Sequence, residues 1–312
     1  VSRRAVIAAL VVGALVLVAG GVYIARNPER KTLDAAARAG VPGQFVRLSD
    51  GVTQYDISGS DTARTIVLLS GATVPYYIWD STSSALAANG FRVLRYNYYG
   101  RGYSDRPNVR YDLAAYDRQL TELLDTLHLR GRVDVAGVSL GGVIAASFAD
   151  RHPDRVRTLT LVDPAFSMFA RAPLPMRVPW LGEYIMMTTV APGMAKGQFD
   201  DFLHPERHPN WAKRYEPQMQ YKGFLRSMLQ TTRGDVLTRP AASFTSLARS
   251  AIPILVLWGK ADHTVAFAKS DSVRAAFPRA EFYAIDSAAH LPQIEQAAEV
   301  DSILVSFLRA HR

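Results

Sequence analysis

The chain has 312 residues, 48% of them hydrophobic and 21% charged, an ordinary globular composition that excludes a largely disordered chain, a collagen and a multi-span membrane protein. It contains no cysteine, which removes disulfides, iron–sulfur clusters and thiolate zinc sites. Lys and Arg number 36 against 28 Asp and Glu, a net charge of +8. The basic residues are scattered, and no helix-turn-helix, zinc-finger or RNA-binding pattern accompanies them, so nucleic acid is not an expected partner. The excess reads as solvated surface charge, with attraction to anionic lipid as the other reading.

Residues 1–25 form the first unit. Arg3 and Arg4 precede a charge-free run from Ala5 to Ala25, which as a helix at about 1.5 Å per residue matches the roughly 30 Å core of a bilayer. A secretory signal has a shorter apolar run of 7–15 residues. The expectation is therefore a single-span anchor with the body outside the cytoplasm; secretion after cleavage near Ala19-Gly20-Gly21 is the alternative. Basic residues flank both ends almost equally, so charge asymmetry sets the orientation weakly.

Residues 26–43 read as a linker, closing on the turn-like Gly40-Val41-Pro42-Gly43. The body, residues 44–312, opens with β-like stretches at Gln44–Ser49 and Val52–Ser58 joined by Asp50-Gly51, a hairpin signal. Apolar runs without alternation follow at Thr65–Ser70, Arg92–Tyr96, Val133–Val138 and Thr158–Val162. Helical stretches separate them at Trp79–Asn89, Leu113–His128 and from Ser139 to about Arg151. Strands buried on both faces look like this, so the reading is an α/β fold with a mostly parallel sheet. The rhythm lapses from about 164 to 250, a stretch rich in Pro, Met, aromatics and Arg that reads as a helical lid inserted between two strands. It resumes with a strand at Ile254–Gly259, a helix at Phe267–Phe277, a strand at Glu281–Ile285 and a closing helix at Ala297–Ala310.

Gly137-Val138-Ser139-Leu140-Gly141 matches G-x-S-x-G between a strand and a helix, the setting of a nucleophile elbow. Gly137 and Gly141 let the chains cross without Cβ clashes, and Ser139 stands at a helix N-terminus that favours developing negative charge. A serine nucleophile needs a base and a group to orient it. His290 follows the last strand and Asp262 the one before. Ser139, His290 and Asp262 are therefore the expected catalytic residues. Asp163, and after it Asp286, are alternative acids, and Asp262 also suits a helix N-cap. The oxyanion donors are expected to be the backbone N–H groups of Leu140 and Ala72. Neither a metal nor another cofactor is expected. His204 and His208 have a metal-pair spacing, but Pro205 and Pro209 disrupt a helix there and no third ligand accompanies them. The Met and aromatic residues of the lid, Trp180 among them, fit its own core better than an acyl pocket. Its 11 basic against 6 acidic residues read as ordinary solvated surface, with an interfacial face as the other reading.

With the elbow, the Asp and His loops and the segment Tyr99–Pro107, the chain resembles the α/β-hydrolase superfamily in its esterase, lipase and monoacylglycerol-lipase-like branch, from about Gln44 to Arg312. The resemblance implies an eight-stranded, mostly parallel sheet with helices on both faces, and the triad order Ser139, Asp262, His290. Two positions depart from the family: Ser70-Gly71 stands where His-Gly is usual, and Asn97 where Asp is usual. The expected function is serine hydrolysis of carboxylic esters, small molecules with lipid-like or apolar acyl groups, through an acyl-enzyme. A peptidase, a C–C bond hydrolase and a non-catalytic ligand-binding member are the alternatives.

Overall fold

The computed structural model describes residues 2–312. Eight strands form one sheet in the order β1-β2-β4-β3-β5-β6-β7-β8. The hairpin β1 (Gln44–Arg47) and β2 (Val52–Ser58) supplies the antiparallel edge. β3 (Thr65–Leu69), β4 (Arg92–Tyr96), β5 (Val133–Val138), β6 (Val156–Val162), β7 (Ile254–Gly259) and β8 (Glu281–Ile285) run parallel. β5 and β7 are buried along their whole length, which explains their unbroken apolar sequence.

Alternate residues of these strands feed two cores. Val67, Leu69, Val135, Leu161 and Val256 face one way; Ile66, Leu68, Ala136, Val162 and Leu257 face the other. Helix α1 (Arg3–Arg26) adds no buried residue to either core and packs against the second through Tyr23. Helix α2 (Asp80–Ala88) and the closing helix α8 (Ala297–Ala310) cover the second face, and α3 (Leu113–Thr126) and α4 (Leu140–Arg151) the first. α3 starts at Asp112, whose carboxylate accepts the Ala115 N–H at 3.0 Å, a cap for an otherwise orphan donor.

Between β6 and β7 the chain forms short α, 3₁₀ and π turns and two longer helices, α5 (Trp211–Met219) and α6 (Phe224–Arg233). Met186, Met187, Phe202, Tyr215, Met219 and Met228 are buried there and join the second of the two cores. Trp180 departs from that pattern: it is 87% exposed. Between β7 and β8, a 3₁₀ turn (Phe267–Lys269) precedes α7 (Ser270–Ala276).

No residue of α1 is buried, so its apolar length is a candidate membrane span. The stretch after it lies against the body. Lys31 pairs backbone to backbone with Gln220 and Lys222 at 2.8 and 2.9 Å. The Glu29 carboxylate accepts the Gly223 and Leu225 N–H groups at 3.1 and 2.6 Å at the start of α6.

Candidate active site

Ser139 sits between β5 and α4 with φ 56° and ψ −120°, a backbone conformation strained for a residue with a side chain. The structure holds it there by main-chain bonds. The Ser139 N–H donates to the Val162 carbonyl at 2.9 Å, and its own carbonyl accepts from Gly142 and Ala165 at 3.0 Å each. A Cβ on Gly137 would overlap the Gly141 carbonyl, and one on Gly141 would overlap the Leu69 and Ser70 carbonyls. Both glycines are therefore required by close backbone approach.

Asp262 follows β7 and His290 follows β8. The His290 Nδ1 and the Asp262 Oδ2 lie 2.8 Å apart, with both side chains buried. The other oxygen of Asp262 accepts the Val265 N–H at 2.9 Å, so the residue is at once a turn cap and the histidine's partner. Burial works against charging His290. The hydrogen bond that the imidazole donates to Asp262 and the charges of Asp262 and Asp201 outweigh it and hold the imidazole above its ordinary pKa.

Leu140, one residue after the serine, is fully buried, and Ala72 lies on the facing loop. Among the described residues, neither backbone N–H has a protein acceptor. Both are thus available to a developing negative charge.

The two departures have structural consequences. Asn97 is buried; its Oδ1 accepts the Tyr76 N–H at 2.7 Å and its Nδ2 donates to the Gln54 Oε1 at 2.6 Å. An amide supplies both a donor and an acceptor here, which a carboxylate does not. Ser70 is buried, and its hydroxyl has no partner.

Three further residues shape the site. Asp163, at the end of β6, is fully buried, and one donor atom each from Asp163, Asp262 and His290 lie within 4.8 Å of one another. The position considered as an alternative acid thus stands behind the acid that holds the histidine. The group does not have the spacing of a tetrahedral zinc site. Donors about 2.0–2.2 Å from a tetrahedral ion sit more than 3 Å apart, whereas His290 and Asp262 are at hydrogen-bond distance. Asp201, in the insertion, accepts the His290 N–H on its carbonyl at 3.1 Å and the Thr264 hydroxyl on its carboxylate at 2.9 Å. Arg101 is 1% exposed and, among the described residues, has no carboxylate partner. Its guanidinium donates to the Ala72 carbonyl, to the Ser227 Oγ at 3.2 Å and to the Thr231 Oγ1 at 3.0 Å. It ties the loop facing Ser139 to α6. Its place in a glycine-rich loop gave no sign of burial.

The other candidates do not converge on the site. His204 pairs with Glu206 at 3.3 Å, and His208 stacks on Phe202 with ring centres 4.4 Å apart. Asp286 pairs with Lys260 at 2.7 Å on the surface.

Comparison with known proteins places this arrangement. A 2-hydroxy-6-oxononadienedioate/2-hydroxy-6-oxononatrienedioate hydrolase of Cupriavidus pinatubonensis is 28% identical over 88% of this chain and 98% of its own length. Lipase 3 of a Moraxella species is 23% identical over 80% of this chain and 86% of its own. Among solved structures, a bacterial membrane phospholipase A superposes with a TM-score of 0.68 at 22% identity, covering 99% of this chain and 97% of its own. The family model described as the α/β hydrolase fold matches residues 64–297. Because that match runs from the start of β3 to the start of α8, and so takes in the serine turn and both the Asp262 and His290 loops, the chain belongs to the α/β-hydrolase fold family.

Proposed function

We propose that the chain is a serine hydrolase of carboxylic esters with apolar acyl groups, held at a membrane by α1. The observation that carries the reading is the buried His290–Asp262 pair at 2.8 Å, in the same family arrangement as a strained serine flanked by two unpartnered N–H groups. In this mechanism His290 Nε2 takes the Ser139 hydroxyl proton as Oγ attacks the acyl carbon. The oxyanion is met by the N–H groups of Leu140 and Ala72. Collapse expels the alkoxide, which receives the proton from His290, and leaves the acyl group on Ser139. A water, deprotonated by His290, then attacks the acyl carbon, releasing the acid and restoring the serine. Asp262 orients the imidazole and stabilises its charged form. The roles of Ser139, Asp262, His290, Ala72 and Leu140 are all part of this proposal, as is a lid role for the insertion.

The substrate class draws support from the apolar α1 and from the relatives called lipase and phospholipase. The relative acting on a dienedioate supports a second reading, cleavage of a C–C bond in an acidic substrate. Such a substrate brings carboxylates that call for a cation. The buried cation beside the serine-facing loop, Arg101, gives three of its five N–H groups to protein acceptors.

The test is turnover of p-nitrophenyl esters from acetate to palmitate, by the parent chain and by Ser139→Ala. The expected result is turnover rising beyond acetate and falling by on the order of 10⁴-fold or more in the variant. Turnover confined to acetate removes the apolar-acyl reading. Activity that survives Ser139→Ala removes the serine mechanism.

A further inference from the structure

The loop before Trp180 is built inside out for a protein in water. Leu174, Val178, Trp180 and Leu181 are exposed by 67, 41, 87 and 45%, while the polar ties of the same loop point inward. Arg233 of α6 donates to the Met176 carbonyl at 2.6 Å and the Val178 carbonyl at 3.3 Å, and pairs with Glu183 at 2.6 Å. Gly182 lies against that guanidinium with no room for a Cβ. Trp180 has φ 65° and ψ −41°, a conformation that costs energy in a bulky residue. The outward apolar display is therefore fixed by specific bonds rather than left loose.

What covers it follows from its seat against α1. Tyr23 stacks on Tyr184 with ring centres 6.3 Å apart. One turn further along both segments, the Arg26 guanidinium donates to the Thr188 carbonyl at 2.9 Å. The two segments thus run in the same direction at this contact. Trp180 lies four residues before Tyr184, the Tyr184 N–H bonding back to the Trp180 carbonyl at 2.9 Å. Stepping back one turn on α1 from Tyr23 reaches Ala19, and Ala19 and Tyr23 alone in that helix are partly covered. The loop therefore stands level with the last apolar turns of α1, not with the charged residues after it. Within 171–181 there are two basic residues, Arg171 and Arg177, and no acidic one. Both are exposed and make no ion pair among the described residues.

We propose that the loop 173–181 is a second membrane contact, seated in the same leaflet from which α1 emerges, with Trp180 at the headgroup–acyl boundary and Arg171 and Arg177 against anionic headgroups. Tryptophan is favoured at that depth and basic side chains at that surface. The proposal rests on reading α1 as a retained membrane anchor. Its consequence for the proposed reaction is that the body is held at two points, with the insertion facing the lipid.

Trp180 is the one exposed tryptophan of four, since Trp79, Trp211 and Trp258 are buried, so the difference between parent and Trp180→Phe emission isolates it. The full chain is reconstituted in phosphatidylcholine–phosphatidylglycerol vesicles, with and without brominated acyl chains, and floated. The expected result is flotation with the vesicles, Trp180 emission quenched by the brominated lipid, and protection from acrylamide. Trp180→Ser with Leu181→Ser should lower turnover of a vesicle-borne ester roughly tenfold and leave a soluble short-chain ester unchanged. Trp180 open to acrylamide and untouched by brominated lipid overturns the proposal. Protection from acrylamide without lipid quenching also overturns it, in favour of a second copy covering the loop. A chain that turns over ester but does not float removes the anchor reading, and the proposal with it.

Discussion

The strand-borne loops and the insertion reach the same histidine by different construction. Ser139, Asp262 and His290 stand in loops that follow β5, β7 and β8; main-chain bonds to strand ends fix the first two, whereas the His290 main-chain N–H bonds the Asp201 carbonyl of the insertion. The insertion has no strand, and apart from the Asp201 and Lys31 main-chain bonds it is seated by side-chain contacts. Gln218 accepts the Gly102 N–H at 2.9 Å and donates to the Thr73 carbonyl at 3.1 Å, Thr73 bonds Gln198 at 2.9 Å, and Arg101 joins Ala72 to α6. A ladder of backbone bonds specifies position to a fraction of an ångström, whereas a set of long polar side chains permits adjustment. Changes in the first region should therefore stop the reaction or the fold, and changes in the second should tune it.

The largest break expected in the strand-borne region, beyond the loss of the serine itself, is Asp262→Asn. Asparagine keeps an oxygen for the Val265 N–H, so the loop should fold and the melting temperature should change little. The imidazole loses the carboxylate that sets its tautomer and balances its charge. kcat should fall on the order of 10³–10⁴-fold, with KM nearly unchanged. Unfolding of this variant at ambient temperature would mean that Asp262 acts mainly as a structural cap.

Gly141→Ala tests the same region through stability. Its new Cβ would press on two backbone carbonyls, those of Leu69 and Ser70, neither of which can swing aside as a side chain would. A loss of about 3 kcal/mol or more in urea unfolding is expected. Gly131 offers the control, because a Cβ there meets nothing within 4 Å. Equal effects at the two positions would remove the close-approach argument.

The insertion enters through Asp201. Its negative charge helps to hold the His290 imidazole above its ordinary pKa. The histidine serves as base only when neutral, so kcat/KM should rise as pH climbs through that raised value. Asp201→Asn removes the charge and leaves the backbone carbonyl that takes the His290 N–H. The acid limb of the pH profile should move to lower pH while the plateau changes modestly. A limb that stays put would show that the insertion does not act on the base electrically.

The same division marks what the sequence made legible. G-x-S-x-G and the loops of Asp262 and His290 are local patterns at the ends of short apolar runs, and local patterns survive into the fold. Trp180 could not be read this way. An aromatic residue in an apolar stretch ordinarily belongs to a core, and only the inward Arg233 ties reverse it. Arg101 reads from sequence as a solvated loop residue, and its burial depends on α6, more than a hundred residues away. Asn97 reads from sequence only as a departure from the family's Asp; its value as both donor and acceptor appears once Tyr76 and Gln54 are placed beside it. Asp201 carries no motif at all. The unread part of the site is the part made by tertiary contact between the two regions.

Asp163 gives the finest test of the comparison, because it is strand-borne yet should tolerate change. Its Oδ1 accepts the Gly259 N–H at 2.9 Å, while its buried Oδ2 has no donor. Burial, and next the charge of Asp262, raise its carboxyl well above the usual range, against the smaller opposing pull of the Gly259 N–H. The shift favours the protonated form, and a proton on Oδ2 would satisfy that atom and point a donor toward Asp262. Asp163→Asn preserves each function: an oxygen for Gly259 and a donor for Asp262. With the protonated form favoured, its kcat/KM should stay within about threefold of the parent. The pH limb is the sharper readout. A charged Asp163 would stabilise protonated His290, so its replacement would carry the limb to lower pH, as expected for Asp201→Asn. A limb unmoved in Asp163→Asn but displaced in Asp201→Asn would identify Asp163 as the neutral support and Asp201 as the charge that acts on the histidine.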